Sequence, residues 1–262
     1  MFAPLPASAE ERPACVDSAD VVELRGDFLC SPSPLQVARQ VCNLRRHLPP
    51  QTPLLFCMRS SSQGGRADPL SYVECTQAAV RAGADAVDVE VLELEDLSLR
   101  SLRQSVRADT LVVLSQHWTS AETSPQSAEE LCRVARGMLR RWRQAAPSDQ
   151  SVIDRSAKSD QSVSNRLVIK LVTTARGAAC VHRAHAAATM LRESLRADPH
   201  VLTLLVLAMG EAGAASRVLN TESITPVTHE SIEKAAPGQL TSKELCDRRK
   251  AALLAHPMAL RT

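Results

Sequence analysis

With 44% hydrophobic but only 2% aromatic side chains, a chain of 262 residues buries a full core that must be aliphatic, built from Leu, Val, Ala and Met. Its net charge of +2, with acids and bases interspersed, provides no electrostatic footprint for nucleic acid or an anionic membrane surface, and so few aromatics leave no base-stacking platform. No apolar run approaches the ~20 residues that span a bilayer, and "MFAPLPASAEERP" lacks the basic-then-apolar order of a signal peptide, so a cytoplasmic protein is expected.

Short apolar, β-branched runs alternate with longer stretches of helical period. The predicted strands, in order, are "DVVELRGDFL" (20–29), "LLFCMR" (54–59), "DAVDVEV" (85–91), "TLVVLSQH" (110–117), "RLVIKLV" (166–172), "VLTLLVLAM" (201–209) and "SITPVT" (223–228). "VLTLLVLAM" shows no polar alternation, which suits a strand covered on both faces. Between the fourth and fifth strands, "AEELCRVARGMLRRWRQ" predicts an amphipathic helix. Its Leu131, Val134, Ala135, Met138, Leu139 and Trp142 recur at i, i+3, i+4 spacing.

Repeated β-α units imply parallel strands joined by crossovers, so the predicted class is α/β and the predicted architecture a (β/α)8 TIM-type barrel. Seven strands leave it one short. The stretch before residue 20 offers no convincing strand, and "FAPLPA" is a poor substitute. The first strand is therefore expected to be missing or degenerate at the N-terminus. Residues 146–165, "APSDQSVIDRSAKSDQSVSN", are polar and aperiodic with "SDQSV" repeated, and read as a surface insertion in a single domain spanning 1–262.

Eight dispersed cysteines (Cys15, Cys30, Cys42, Cys57, Cys75, Cys132, Cys180, Cys246) form no CxxC pair. They read as buried, reduced thiols rather than disulfides or metal ligands. His182 and His185 lie three apart but have no Cys or carboxylate cluster beside them, so no metal or cofactor is expected.

Barrel enzymes carry their chemistry where strands end and βα loops begin. The polar residues at those places are Glu23, Arg25 and Asp27, then Arg59, Asp88, Glu90, His117, Lys170, Arg217 and Gln239. Glu23 and Arg25, two apart, fit either a ligand or each other. Lys170 stands out because the chain has five lysines among 31 basic residues, and this one lies within "LVIKLV". A lysine so placed either pairs with a carboxylate or supplies an amine nucleophile suited to a Schiff base with a ketone. His117 ends a neighbouring strand. It is either a packed strand terminus or a proton carrier, for which an ordinary pKa of about 6.5 is apt.

In order and spacing, "VELRGDFL", "MRSSSQGGR", "AGADAVDVEV", "VVLSQH", "VIKLV", "LAMGEAGAASRVLN" and "TPVTHESIEKAAPGQL" resemble the type I 3-dehydroquinate dehydratases, above all the version inside the pentafunctional arom polypeptide and its repressor relatives. The resemblance implies a TIM barrel and a cofactor-free lyase that removes water from 3-dehydroquinate to give 3-dehydroshikimate in the shikimate pathway. It implies Lys170 as the Schiff-base lysine and His117 as the proton shuttle. Glu23 and Arg25 would grip ring hydroxyls, with Arg59 and Gln63 also binding substrate; Gln63 stands where many bacterial members have Glu. Arg217 and Gln239 would clamp the substrate carboxylate, and 225–240 would form a lid. It further implies a small-molecule substrate as the partner, within a larger multidomain polypeptide or a homodimer. Gln116 and Trp118 depart from the family's residues around the histidine, and Trp118 is expected near the mouth of the site. The alternative function is a non-catalytic, repressor-like domain that binds pathway intermediates. Retention of both Lys170 and His117 speaks against it, since a binder needs neither.

Overall fold

A computed structural model describes residues 20–146, 165–219, 226–227 and 236–255. Strands and helices alternate: β1 (Val22–Arg25), α1 (Pro34–His47), β2 (Leu54–Cys57), α2 (Pro69–Arg81), β3 (Ala86–Val89), α3 (Asp96–Ser105), β4 (Leu111–His117), α4 (Ala128–Gln144), β5 (Leu167–Thr174), α5 (Ala178–Leu195), β6 (Val201–Met209) and α6 (Ala214–Leu219). Then come β7 (Pro226–Val227), β8 (Leu240–Thr241) and α7 (Ser242–Ala255). Strands β1 to β6 form one parallel sheet in chain order, the α/β arrangement of a TIM-type barrel.

Six of the seven predicted strands take their place in this sheet. The first is shorter than predicted, because after Arg25 the chain turns through a 3-10 helix at Gly26–Phe28. Of the seventh, Pro226 and Val227 are described, and they pair in parallel with Leu240 and Thr241 rather than joining the main sheet. The two-residue strand β8 was not predicted, being too short for any alternation to register. The expectation of a missing first strand falls on residues 1–19, and most of the polar insertion on 147–164, all outside the described residues.

Side-chain alternation sorts each strand into two faces. Leu55, Ala86, Val113, Val168 and Leu205, one from each of β2 to β6, pack into a single apolar layer inside the curved sheet. The alternate residues, such as Phe56, Val87, Val112, Leu114, Ile169 and Val206, pack outward with the helices in the main core. Two steps up from the apolar layer the inward positions are Cys57, Asp88, Ser115 and Lys170, and a further step brings Arg59, Glu90 and His117. The floor is greasy and the next two layers are charged. That change of character fixes where chemistry can happen.

Helix α4 forms where its apolar stripe predicts. Ser127 and Glu130 close a reciprocal capping box at its start, the Glu130 N–H donating to Ser127 Oγ at 3.1 Å and the Ser127 N–H to Glu130 Oε2 at 3.3 Å. Leu131, Ala135, Met138, Leu139 and Trp142 are buried, with Cys132 added and Val134 only half-buried. The thiols are more varied than expected. Cys57, Cys75 and Cys132 are buried, but Cys30, Cys42 and Cys246 are exposed because they fall off the apolar stripes of their segments. All seven described cysteines are free.

Trp142 is the largest fully buried side chain, with the Arg103 guanidinium 4.7 Å from its ring centroid. Trp142→Ala is expected to cost about 3–5 kcal/mol, the range for emptying a large core site, and Trp142→Phe clearly less. Urea unfolding monitored by far-UV circular dichroism measures both.

Candidate active site

At the C-terminal ends of the strands the sheet surrounds a cavity of about 350 Å³. Glu23, Arg25, Arg59, Gln63, His117, Lys170 and Arg217 all line it. Seven of the eight residues singled out in the sequence thus converge from four strands or strand ends, the 3-10 turn at Ser61–Gln63 and helix α6. Gln239 stands behind the wall. It is buried, and its Oε1 accepts from the Ala236 N–H at 3.3 Å, bracing the turn whose Ala236 and Pro237 face the cavity.

Lys170 is 6% exposed, and its Nζ lies 3.0 Å from Asp88 Oδ2. The lysine therefore pairs with a carboxylate, and it also borders the cavity. Asp88 is fully buried and also accepts from Arg59 Nη2 at 3.0 Å and, on its other oxygen, from the Ser115 hydroxyl. Burial alone would raise the Asp88 pKa. Arg59, then Lys170 and His117, outweigh it and hold the carboxyl well below the usual range. Glu90 accepts from Arg59 Nη1 at 3.0 Å and from the Ser60 N–H at 3.1 Å, while burial pushes its pKa up. Tyr72 pins this strand end, its hydroxyl donating to Asp88 O at 3.2 Å and accepting from Glu90 N–H at 2.9 Å.

Asp88 and Glu90 carry no assigned role in the sequence reading. The signal was there in "DVEV": two acids at alternate positions of a buried strand share an inward face and need cations to meet them.

His117 sits at the end of β4. Gln63 Oε1 accepts from its backbone N–H at 2.9 Å and faces its ring Nδ1 at 3.3 Å. The backbone donor fixes which Gln63 atom is the oxygen, so Nδ1 carries the ring proton and Nε2 is left as the acceptor. Gln63 is thus placed as the support of the histidine. Burial, reinforced by Arg59 and Lys170, holds the His117 pKa well below its ordinary value, with Asp88 opposing.

Arg25 does not pair with Glu23. Its Nε and Nη2 donate to the two Asp27 oxygens at 2.8 and 2.7 Å, a two-toothed bridge across the 3-10 turn. Glu23, also 6% exposed, has no hydrogen-bond or ion-pair partner among the described residues, leaving its carboxylate for whatever enters. Arg217 reaches the cavity from α6, buried enough to lower its pKa. The expectation for Trp118 is corrected. Positions 115, 117 and 119 of β4 and its extension point inward, so Trp118 turns outward and packs against the main core, and Thr119 lines the cavity instead. Of the segment read as a lid, only Pro226–Val227 and 236–240 lie within the described residues.

The family model for type I 3-dehydroquinase matches residues 4–141 and 142–250. The chain belongs to that family. Among solved structures, the dehydroquinate dehydratase and shikimate dehydrogenase of S. pombe AroM is similar at 28% identity, with a TM-score of 0.63 over 88% of this chain. The chain spans 39% of that protein's length. The 3-dehydroquinate dehydratases of Geobacillus kaustophilus HTA426 (19% identity, TM-score 0.67, 92% of this chain and 83% of that one) and Aquifex aeolicus VF5 (17%, 0.58, 91% and 90%) share the fold.

In this dehydroquinase-family member the far wall of the cavity depends on one close approach. Gly210 N–H donates to Pro237 O at 3.1 Å, and a Cβ on Gly238, whose φ is +74°, would overlap the Gly210 carbonyl. Gly238→Ala is therefore expected to push Ala236–Pro237 away and weaken ligand binding by about tenfold or more, for a few tenths of an ångström to an ångström of misplacement. Titration calorimetry with a small cyclic hydroxy acid as probe reads this, with Gly83→Ala, whose glycine has no neighbour within 4 Å, as the control for strain alone.

Proposed function

We propose that this chain is a 3-dehydroquinate dehydratase, a hydro-lyase that forms 3-dehydroshikimate through a Schiff base on Lys170. The observation that carries the reading is the meeting of a buried lysine and a half-buried, neutral histidine at one cavity, in a chain of the type I 3-dehydroquinase family.

The Lys170 amine attacks the C3 ketone, and the ketone oxygen leaves as water, giving a protonated imine. That cation draws electrons from the adjacent C2–H bond. His117, with Nε2 open as an acceptor, moves the protons of imine formation, takes the C2 proton, and returns one to the C1 hydroxyl as it departs; a water then hydrolyses the product imine, restoring the C3 ketone and the free Lys170 amine. Glu23 accepts from ring hydroxyls, and Arg217 meets the carboxylate, with Gln239 bracing the wall beside it. Arg25, committed to Asp27, contributes through its remaining N–H donors and through the Arg25–Asp27 unit as a whole. The pathway is aromatic biosynthesis. The likeness to S. pombe AroM supports a working place inside a larger polypeptide, as a single barrel domain over 1–262.

Incubation with 3-dehydroquinate and borohydride is expected to leave one reduced adduct on Lys170, read by peptide mass spectrometry, and to inactivate the enzyme. Lys170→Ala abolishes both adduct and turnover, whereas His117→Ala still traps imine but stalls before release. Well-folded wild-type protein that binds the ligand saturably without adduct or enone would instead mark it as a binding domain.

The histidine also sets a pH signature. The unfolded chain protonates His117 below about pH 6.5 while the folded chain resists. The stability this residue contributes is present above that pH and is lost as pH falls toward the folded-state pKa. His117→Asn should therefore flatten the loss of stability between about pH 6.5 and 5 relative to wild type, measured by urea titration at each pH. Gln63→Glu, which puts a carboxylate against the ring, should move the acidic limb of kcat/KM upward by about one unit or more.

A further inference from the structure

We infer that Glu93 and Gln116 are positioning residues that act through Gln63: they take both hydrogens of its amide and so fix the tautomer of His117. The inference rests on the proton-shuttle role given to His117 above and adds two residues to it. Neither of them lines the cavity.

The two ends of a glutamine amide are nearly alike in shape, but one accepts and the other donates. Which end Gln63 offers to His117 decides what the ring can do. With Oε1 toward the ring, Nδ1 is the donor and Nε2 keeps its lone pair free to take a proton. With the amide reversed, Nδ1 must accept, the ring proton moves to Nε2, and no lone pair is left over.

Contacts on opposite sides of the amide choose between these states. On the histidine side, the His117 N–H donates to Gln63 Oε1 at 2.9 Å. On the other side, Gln63 Nε2 donates to Glu93 Oε1 at 3.3 Å and to Gln116 Oε1 at 3.4 Å. Gln63 is 3% exposed, so its hydrogens depend on protein partners rather than water. Both acceptors are held in turn. Glu93, in the loop after β3, receives the Ser62 hydroxyl on Oε2 at 3.0 Å. Gln116, beside the histidine on β4, turns its own Nε2 to the His117 carbonyl at 3.5 Å, which leaves its oxygen for Gln63.

The two residues are not equivalent. Gln116 carries both polarities and could reverse its own amide to follow a reversed Gln63. An ionised carboxylate only accepts, so a reversed Gln63 would set oxygen against oxygen at Glu93. Glu93 is thus the fixed point and Gln116 completes the shell. A carboxylate stands one side chain behind the imidazole, with a neutral amide between them, and the tautomer is set without drawing a second proton onto the ring.

The test follows the ring nitrogens of isotope-labelled histidine by NMR at neutral pH, with His117 assigned by its loss in His117→Asn, alongside kcat, KM and thermal unfolding. Wild type is expected to show a pyrrole-like Nδ1 and a pyridine-like Nε2 at His117. Glu93→Ala is expected to shift His117 toward a mixture of tautomers and to lower kcat about threefold to tenfold, with KM within about twofold. Glu93→Gln, which can still present an oxygen to Gln63, restores the tautomer and brings kcat to within about twofold of wild type. Glu93→Ala combined with Gln116→Leu costs more than the product of the separate losses, because only then is the buried Nε2 left without an acceptor. An unchanged tautomer in the double variant would overturn the inference, and if that variant does not fold, an unchanged tautomer in Glu93→Ala does the same. A rise in KM at unchanged kcat also overturns it, by placing the pair with the ligand. So does a Glu93→Gln protein as impaired as Glu93→Ala, or a wild-type His117 protonated on Nε2. Absence of any borohydride adduct in wild type would instead overturn the Schiff-base reading, and the tautomer measurement still decides the roles of Glu93 and Gln116.

Discussion

Two cations and two carboxylates, Arg59 and Lys170 with Asp88 and Glu90, are buried together above the apolar floor of the sheet, and the placement of the reacting groups depends on them. Burying any one of these charges alone would cost several kcal/mol. Together they are bearable because each carboxylate meets at least one cation at 3.0 Å, the leftover Arg59 donors end on Ser115 Oγ and Cys57 Sγ, and Glu90 also accepts from the Ser60 N–H. An apolar packing of the same volume would be as stable or more so. The network therefore makes sense as a device that holds a lysine nitrogen in a set place and environment.

The same cations govern the histidine. Arg59 and Lys170 add to burial in keeping His117 uncharged, and Gln63 offers its ring an amide oxygen rather than a carboxylate. A carboxylate in that place would favour imidazolium; the amide leaves a neutral ring with a defined tautomer. Arg59 and Lys170 thus hold Asp88 charged and His117 neutral at the same site. Glu23 and Arg217 line the same cavity from β1 and α6.

The loops around the cavity are held by backbone and side-chain contacts together. The Gly210–Gly238 approach brings the 236–239 turn against the end of β6, and Gln239 braces that turn from behind. Arg25 is fixed by Asp27 across a single 3-10 turn, and its guanidinium lies 4.3 Å from the Phe28 ring centroid. Such devices hold the rim while leaving the cavity itself open.

The period of the sequence determined a good deal by itself. β-branched runs alternating with helical stretches imply parallel strands, "AEELCRVARGMLRRWRQ" marks α4 to the residue, and the strand-end positions of Lys170 and His117 mark the candidate site. The motifs "VIKLV", "SQGGR" and "APGQL" named the family before any coordinates. Other features depend on distance across strands, which no local pattern encodes. Arg59 lies 29 residues from Asp88, and Lys170 lies 82 residues from it. Whether Arg59 meets the carboxylates of the next strand, whether Arg25 turns to Glu23 or Asp27, and whether Trp118 faces the mouth or the helices are questions of register and side-chain direction. A one-residue change of face reverses each answer, and only the packed sheet settles which face is which.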